Sequence, residues 1–206
     1  MVDYRPHDLL WVRAWPQDVA LPDWVCPQWL AMAPVVVRRA PAASGRIAVG
    51  LRGTTRSERH ATEIDTSAVL RCVTPEMLAA SVPAWPDEWA NYPAIEALHQ
   101  LKPLLDATGL PWGPTGGVGF ALASGLPVLR TDSDLDLVLR MSSPPDAGQA
   151  DTLHSIVASV IHCRLDLQID TGAGGFAYAE WAAGRPRVLL KTDHGPLLTA
   201  SPWERR

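Results

Sequence analysis

The order of apolar and polar positions predicts short strands in the N-terminal part of the chain and alternating helices and strands in the C-terminal part. Residues 34–39 and 46–52 are apolar, β-branched runs separated by a proline- and glycine-containing segment, which predicts two antiparallel strands. Residues 94–108 have apolar positions at helical spacing, which predicts a helix that Pro103 bends or divides. Residues 74–93 are rich in proline, alanine and tryptophan, so we place a domain junction there, with domains at 1–84 and 85–206.

The C-terminal pattern continues as a series of alternating elements. It predicts a glycine-rich turn and short helix at 113–124, a strand at 134–140, a helix at 149–162, a strand at 164–170, a helix at 177–183 and a strand at 187–191. This order indicates an α/β or α+β unit and not a repeat array. We predict an α+β protein in which a small N-terminal domain precedes a domain with a mixed sheet.

The strand at 134–140 carries the strongest candidate chemistry. Successive strand residues point to opposite faces, so Asp132, Asp134 and Asp136 are expected on one face and the intervening leucines on the other. Carboxylates two residues apart can converge on a divalent ion, and such sites suit Mg²⁺ or Mn²⁺. Taken alone, the segment also fits a solvated acidic strand end.

Two further segments favour a reaction centre. Asp166 lies at the start of a second alternating strand, and it joins the first two carboxylates if the strands are neighbours. Upstream, Gly116 and Gly117 allow backbone N–H groups to approach phosphate at a helix N-terminus, although a plain tight turn explains them equally well. The segment matches neither a Walker A motif nor a dinucleotide fingerprint.

Composition and charge restrict the classes of function. The chain has 206 residues and a net charge of −4, which argues against nucleic-acid binding through bulk charge. It has no signal-peptide pattern and no apolar run near the roughly 18–20 residues that cross a bilayer, so we expect a cytoplasmic protein without a membrane partner. Three widely spaced cysteines indicate reduced thiols and no zinc site.

Basic residues are concentrated in one N-terminal segment. Between positions 38 and 60, Glu58 alone opposes a set of arginines, namely Arg38, Arg39, Arg46, Arg52, Arg56 and Arg59. Guanidinium groups match phosphate oxygens, and Arg52 and Arg56 are the favoured pair because they flank a Gly-Thr-Thr turn. A solvated basic face is the alternative.

The glycine turn, the Asp134-Leu-Asp136 strand and the later Asp166 resemble the nucleotidyltransferase superfamily of polymerase-β type. That resemblance implies three acids that bind Mg²⁺ while an acceptor hydroxyl attacks an α-phosphate. One departure is Gly116-Gly117, where the superfamily usually has Gly-Ser.

The chain also resembles a narrower family, the malonate decarboxylase holo-acyl-carrier-protein synthases or phosphoribosyl-dephospho-CoA transferases. The matching segments span nearly the whole chain: Arg5-Pro-His-Asp-Leu-Leu-Trp11, Pro34-Val-Val-Val-Arg-Arg-Ala40, Gly113-Pro-Thr-Gly-Gly-Val-Gly-Phe120, Ser133-Asp-Leu-Asp-Leu137, Asp166-Leu-Gln168 and Val188-Leu-Leu-Lys-Thr192.

The narrower resemblance implies transfer of 2′-(5″-triphosphoribosyl)-3′-dephospho-CoA to a serine of the apo acyl carrier subunit of malonate decarboxylase, with release of pyrophosphate. Asp166 then completes the metal site or accepts the serine proton. Lys191 could reach phosphate or be an ordinary exposed lysine, and His7 is more often structural in such a position. The alternatives are citrate-lyase prosthetic-group transfer, ATP-dependent adenylyl transfer and a non-catalytic carrier-binding protein.

Overall fold

The computed structural model describes residues 3–13, 15, 20–55, 57–81 and 89–204. It contains two compact units. The first comprises Met1–Thr74 and Phe120–Val128, and the second comprises Pro75–Gly119 and Leu129–Arg206. The predicted domain boundary between residues 84 and 85 lies outside the described residues.

The first unit contains an antiparallel sheet. Its elements are strand β1 (Leu9–Val12), helix α1 (Pro27–Met32) and strands β2 (Val35–Val37), β3 (Arg46–Arg52), β4 (Arg59–Asp65) and β5 (Val69–Val73). The strand order is β4-β3-β2-β1-β5. The antiparallel pairing of β2 with β3, Val36 opposite Gly50, confirms the two strands predicted in this region.

Apolar side chains from this sheet form the core of the first unit. Leu10, Val35, Val49 and Ile64 are at most 2% exposed, and tyrosine and tryptophan side chains pack around them. Each fully buried aliphatic side chain contributes roughly 1.5–3 kcal/mol of hydrophobic stabilisation. The β-branched runs therefore specify both the strands and the face that they bury.

The second unit combines a mixed sheet with helices. Its elements are α2 (Pro75–Ser81), α3 (Pro93–Ala107), β6 (Trp112–Pro114), α4 (Gly116–Ser124), β7 (Leu135–Arg140), α5 (Ala147–Ala158), β8 (Leu165–Asp170), β9 (Gly175–Ala177), α6 (Tyr178–Ala182), β10 (Val188–Thr192) and β11 (Gly195–Thr199). Residues of α4 from Phe120 onward belong to the first unit.

The sheet of the second unit has the order β11-β10-β9-β8-β7-β6. Strands β7 and β8 are parallel, and the other neighbouring pairs are antiparallel. The prediction of an α+β protein with a mixed sheet is therefore confirmed.

One face of this sheet forms the core of the second unit. Leu135, Leu137 and Leu139 in β7 are at most 1% exposed, and α3 and α5 contribute buried residues such as Leu98 and Leu153. We call this the leucine face. The opposite face carries Asp136 and Arg140, and we call it the acidic face.

Helix α3 runs without interruption from Pro93 to Ala107, so the division into two shorter pieces at Pro103, one of the two expectations, is wrong. Proline removes the bond that its N–H would donate to the carbonyl of residue 99. His99 and Pro103 are both exposed, so water can satisfy that carbonyl.

Among the residues that the structure describes, no helix has the length and apolar character needed to cross a membrane.

Candidate active site

Asp136 and Asp166 lie side by side on the acidic face. They are register partners on the parallel strands β7 and β8, which are about 4.8 Å apart in such sheets. Both residues are partly exposed, while Leu137 and Leu167 next to them are buried on the other face. The sequence pattern left open whether the two acidic strands were neighbours, and the pairing shows that they are.

Asp134 lies immediately before β7, which begins at Leu135 and not at the predicted Asp134. Its side chain is 35% exposed, and its Oδ2 lies 4.0 Å from Nη1 of Arg164. Arg164 is 77% exposed, so this ion pair contributes little stability. The carboxylate of Asp134 thus remains accessible at the end of the strand that carries Asp136.

Asp132 does not share the strand face, contrary to the alternation expected from the sequence. It lies in a turn in which the backbone N–H of Ser133 donates to the carbonyl of Arg130, and the N–H of Arg130 donates to Oγ of Ser133. Serine side chains that bond locally to the backbone favour turns over strands. Asp132 instead forms a 3.3 Å ion pair with Arg130.

Gly116 packs directly against Asp136. Its φ of +54° is a left-handed conformation that favours glycine. A Cβ at this position would lie 1.7 Å from Oδ2 of Asp136, which is far inside van der Waals contact. The backbone N–H of Thr115 also donates to the carbonyl of Asp136 at 2.8 Å. The glycine therefore lets the start of α4 close over the carboxylate.

The N-terminus of α4 lies beside Asp136. The first intrahelical bond runs from the N–H of Gly119 to the carbonyl of Thr115 at 2.8 Å. The N–H groups of Gly116, Gly117 and Val118 precede it, and such groups bind anions at helix N-termini. The structure thus brings predicted residues Gly116 and Asp136 into one cluster.

A buried ion cluster fixes the opposite end of the acidic strands. Nε of Arg140 donates to Oε1 of Glu76 at 2.8 Å, and Nη1 donates to Oδ2 of Asp170 at 2.5 Å. Arg140 and Asp170 are register partners whose side chains are only 11% and 8% exposed. This cluster, which the sequence pattern did not indicate, links β7 to β8 four residues along the strands from the Asp136 and Asp166 pair.

Cys163 is a neighbour of Asp134 that the sequence did not place at the site. Burial raises the pKa of its thiol, and the negative charge of Asp134 raises that pKa further. A hydrogen bond from the backbone N–H of Leu135 acts in the opposite direction. The pairing of β7 with β8 produces this proximity, because residue 163 leads into β8 and Asp134 leads into β7.

The predicted cationic residues lie in the first unit. Arg52 ends β3, and its guanidinium lies over the ring of Phe120 at 5.4 Å. Arg56 lies outside the described residues. Glu58, the acid of this segment, accepts hydrogen bonds from the backbone N–H of Thr55 and the hydroxyl of Thr54. The bond from Thr55 lowers the pKa of the Glu58 carboxyl.

Lys191 is exposed on β10, and its register partner on β9 is Gly175, which in turn pairs with Asp170 on β8. This places Lys191 two strands across and four residues along from Asp166, roughly 16 Å between Cα atoms.

His7, with φ of +78°, is the one non-glycine residue of the described set in a left-handed conformation. Its backbone N–H donates to the carbonyl of Val37, which favours a structural role.

The donor atoms on the acidic face fit a hard divalent cation. Asp136 and Asp166 present carboxylate oxygens from adjacent strands, and Mg²⁺ prefers one or two carboxylates together with substrate phosphate oxygens. Within the described ranges, no group of three or more His, Cys, Asp or Glu residues is arranged to hold a metal ion. A cation bound jointly by Asp134, Asp136 and Asp166 therefore stays a prediction.

Comparison with known proteins identifies the family. Residues 5–75 match the family model "Phosphoribosyl-dephospho-CoA transferase MdcG N-terminal domain", and residues 79–202 match the corresponding C-terminal domain. No solved structure matches the chain.

Several curated relatives match almost the full length of the chain and are named phosphoribosyl-dephospho-CoA transferase. The relative from Pseudomonas putida (strain GB-1) is 45% identical, covering 97% of this chain and 95% of its own. The relative from Pseudomonas aeruginosa is 47% identical, covering 97% and 93%. The relative from Klebsiella pneumoniae (strain 342) is 41% identical, covering 98% and 97%. The chain therefore belongs to the phosphoribosyl-dephospho-CoA transferase family and is a transferase.

Proposed function

We propose that this enzyme transfers 2′-(5″-triphosphoribosyl)-3′-dephospho-CoA to a serine of the apo acyl carrier subunit of malonate decarboxylase and releases pyrophosphate. The observation that carries the proposal is the in-register pair Asp136 and Asp166, covered at one side by Gly116. Full-length relatives named phosphoribosyl-dephospho-CoA transferase support the donor.

The proposed reaction is a displacement at the α-phosphorus of the donor triphosphate. The serine Oγ forms a new O–P bond, the bond from that phosphorus to the pyrophosphate oxygen breaks, and the Oγ proton passes to a base. Phosphoryl-type transfers of this kind are catalysed mainly by positioning and by electrostatic stabilisation. The protein therefore needs cations and N–H groups at the phosphates and an acceptor for one proton.

Asp136 and Asp166 would hold Mg²⁺ or Mn²⁺, with Asp134 available as a further ligand just before the start of β7. The bound cation would neutralise phosphate charge and align the leaving pyrophosphate. Gly116 keeps the carboxylate of Asp136 against the start of α4, so the helix N-terminus and the carboxylate act on the same region. The N–H groups of Gly116, Gly117 and Val118 would bind donor phosphate oxygens.

Asp166 has a proposed role as a shared cation ligand, because its register position equals that of Asp136. The rival role is acceptance of the serine proton. Asp166→Asn distinguishes the two roles. A ligand role predicts a higher Mg²⁺ concentration at half-maximal rate, whereas a general-base role predicts an unchanged Mg²⁺ requirement and loss of the acidic limb of the pH–rate profile.

Asp136→Asn tests the reaction centre. We expect carrier labelling to fall at least about 100-fold, because the neutral amide is a weaker ligand for the divalent cation that would neutralise the phosphate charge. Asp132→Asn is the matched control, because Asp132 lies in the adjoining turn and pairs with Arg130. It should label the carrier at a rate within about twofold of wild type. Full activity of Asp136→Asn would contradict the proposed centre.

The alternative reactions give different products. Pyrophosphate release is assayed with Mg²⁺, the apo carrier and either ATP or the triphosphoribosyl compound. Release with ATP and none with the triphosphoribosyl compound would identify an adenylyltransferase. Transfer to the citrate lyase carrier in preference to the malonate decarboxylase carrier would reassign the acceptor. Carrier binding that is indifferent to EDTA, without pyrophosphate release, would indicate a non-catalytic binding protein.

A further inference from the structure

Two exposed leucines lie together at the edge of the mixed sheet. Leu189 on β10 and Leu198 on β11 are direct cross-strand partners, and they are 42% and 56% exposed. Their chain neighbours Val188, Leu190 and Thr199 point to the other face and are buried. We call Leu189 and Leu198 the leucine patch.

The leucine patch lies on the acidic face. Register partners project to the same face of a sheet, and so do residues two apart along a strand. Lys191 pairs with Gly175, and Gly175 pairs with Asp170, which shares its face with Asp166. Leu189 is two residues from Lys191, so it belongs to the same face as the proposed reaction centre.

The patch lies within reach of a protein that is bound at that centre. Extension of the register places Leu189 opposite Gln168, with β9 between their two strands. The Cα atoms of Leu189 and Asp166 are then roughly 12 Å apart. Leu198 is one strand farther, at about 16 Å. A carrier that presents its serine to Asp136 and Asp166 would cover this part of the sheet, because a standard interface buries about 800 Å² on each partner.

Local contacts hold the patch in place. The backbone N–H of Leu189 donates to Oε2 of Glu180 at 3.0 Å. Helix α6 includes Glu180, and its Tyr178 is 3% exposed and lines a small cavity together with Leu153 and Ile169. The leucine side chains are therefore presented by an ordered sheet whose reverse face is filled.

The segment that carries the patch is basic, and Glu180, whose carboxylate accepts from the backbone of Leu189, is an acid beside it. Residues 185–198 contain Arg185, Arg187 and Lys191 and one acid, Asp193, so this segment has a net charge of +2 in a chain of net charge −4. All three cations are exposed, and Lys191 lies on the same face as the patch. Two exposed leucines with Lys191 on the same face and two arginines shortly before them in the chain complement an acidic protein surface that offers one or two apolar side chains.

We propose that the leucine patch is the docking surface for the acceptor carrier protein, with Arg185, Arg187 and Lys191 facing carboxylates of the carrier. This inference rests on the proposed function, because the acceptor there is a protein. The CoA-derived donor is a poorer fit, since small molecules bind in concave sites and the patch lies on the two outermost strands of an open sheet.

The test is steady-state transfer by the double variant Leu189→Glu/Leu198→Glu, with the apo acyl carrier subunit of malonate decarboxylase as acceptor. We expect KM for the carrier to rise at least tenfold, with KM for the donor and kcat at saturating carrier within twofold of wild type. The matched control is Leu104→Glu on α3, because Leu104 is 42% exposed, as Leu189 is. The control should leave all three constants within twofold.

Three outcomes overturn the docking surface. An unchanged carrier KM in the double variant excludes it. A raised donor KM assigns the patch to the donor, and conversion of a wild-type dimer to a monomer in size-exclusion chromatography assigns it to a second copy of the chain. If the glutamate substitutions lower the melting temperature more than Leu104→Glu does, the double variant Leu189→Ser/Leu198→Ser is used in their place, with the same expected changes in KM and kcat.

Direct binding separates this inference from the proposed function. Calorimetric titration of the apo carrier into wild type and into the double variant requires no turnover. If wild type transfers nothing to the carrier, the proposed function fails, but a carrier that binds wild type at least tenfold more tightly than the double variant still supports docking at the patch. Equal binding to the two proteins, or no binding to wild type, overturns the docking surface.

Discussion

Replacement of Gly116 by alanine tests whether close packing of α4 on Asp136 is required for activity. The alanine Cβ would lie 1.7 Å from Oδ2 and 2.5 Å from Cγ of Asp136, so the carboxylate must move by more than about 1 Å to restore ordinary contact. A misplacement of about 1 Å in a reacting group can cost about 100-fold in rate. We therefore expect the rate of carrier labelling by Gly116→Ala to fall by about two orders of magnitude.

The expected effect on stability is much smaller than the effect on rate. An L-residue in the left-handed conformation costs roughly 1–2 kcal/mol, and Gly116 is exposed, so little core packing is disturbed. For a chain of this length, such a loss corresponds to a fall of roughly 2–8 °C in melting temperature. The variant should consequently be folded at assay temperature.

Gly109→Ala is the matched control. Gly109 also has a positive φ, +68°, but an added Cβ would meet no atom within 4 Å. The assay compares labelling rate and melting temperature for the two variants. Both should lose the stability that a left-handed alanine costs, and Gly116→Ala should lose more because its Cβ would also lie 2.8 Å from Cβ of Asp136. Only Gly116→Ala should lose activity. Equal labelling rates for the two variants would refute the requirement for close packing at Asp136.

Two further predictions concern residues beside the reaction centre. Arg140→Met removes the cation that Glu76 and Asp170 share in a buried cluster. Urea denaturation should therefore show a loss of about 3–5 kcal/mol in the free energy of unfolding. A loss below about 1 kcal/mol would contradict a stabilising role for Arg140. Because the pKa of the Cys163 thiol is raised, the midpoint of the pH dependence of its alkylation by iodoacetamide should lie at higher pH than for an ordinary cysteine. Asp134→Asn removes a negative charge near the thiol, so it should shift that midpoint to lower pH. An unmoved midpoint would exclude electrostatic contact between Asp134 and the thiol.

Most of the long periodic segments were predictable from the sequence, although α5 ends at Ala158 and not at the predicted residue 162. The recurrence of apolar residues in α3 and the alternation in β7 and β8 each specify one buried face, and the predicted ends differ from the observed ones by a residue or so. Short strands were not predictable in this way. Strand β6 is Trp-Gly-Pro and β9 is Gly-Phe-Ala, and three residues with glycine or proline have no measurable period.

The candidate site was predictable as a set of residues but not as an arrangement. The position of Asp166 beside Asp136 depends on the parallel register of two strands that are separated by α5, which local pattern does not encode. The contact of Gly116 with Asp136 depends on a single left-handed residue. Asp132 was misplaced because a serine-stabilised turn ends before the strand begins.

The intact mass of the apo acyl carrier subunit, measured after incubation with the enzyme, Mg²⁺ and triphosphoribosyl-dephospho-CoA, tests the central claim most directly. The proposed reaction predicts a gain equal to the mass of the donor minus pyrophosphate, located on one serine. In the time that wild type takes to modify half of the carrier, Asp136→Asn should modify no more than about 1% of it. An unchanged carrier mass with the wild-type enzyme, or an equal gain with Asp136→Asn, would contradict it.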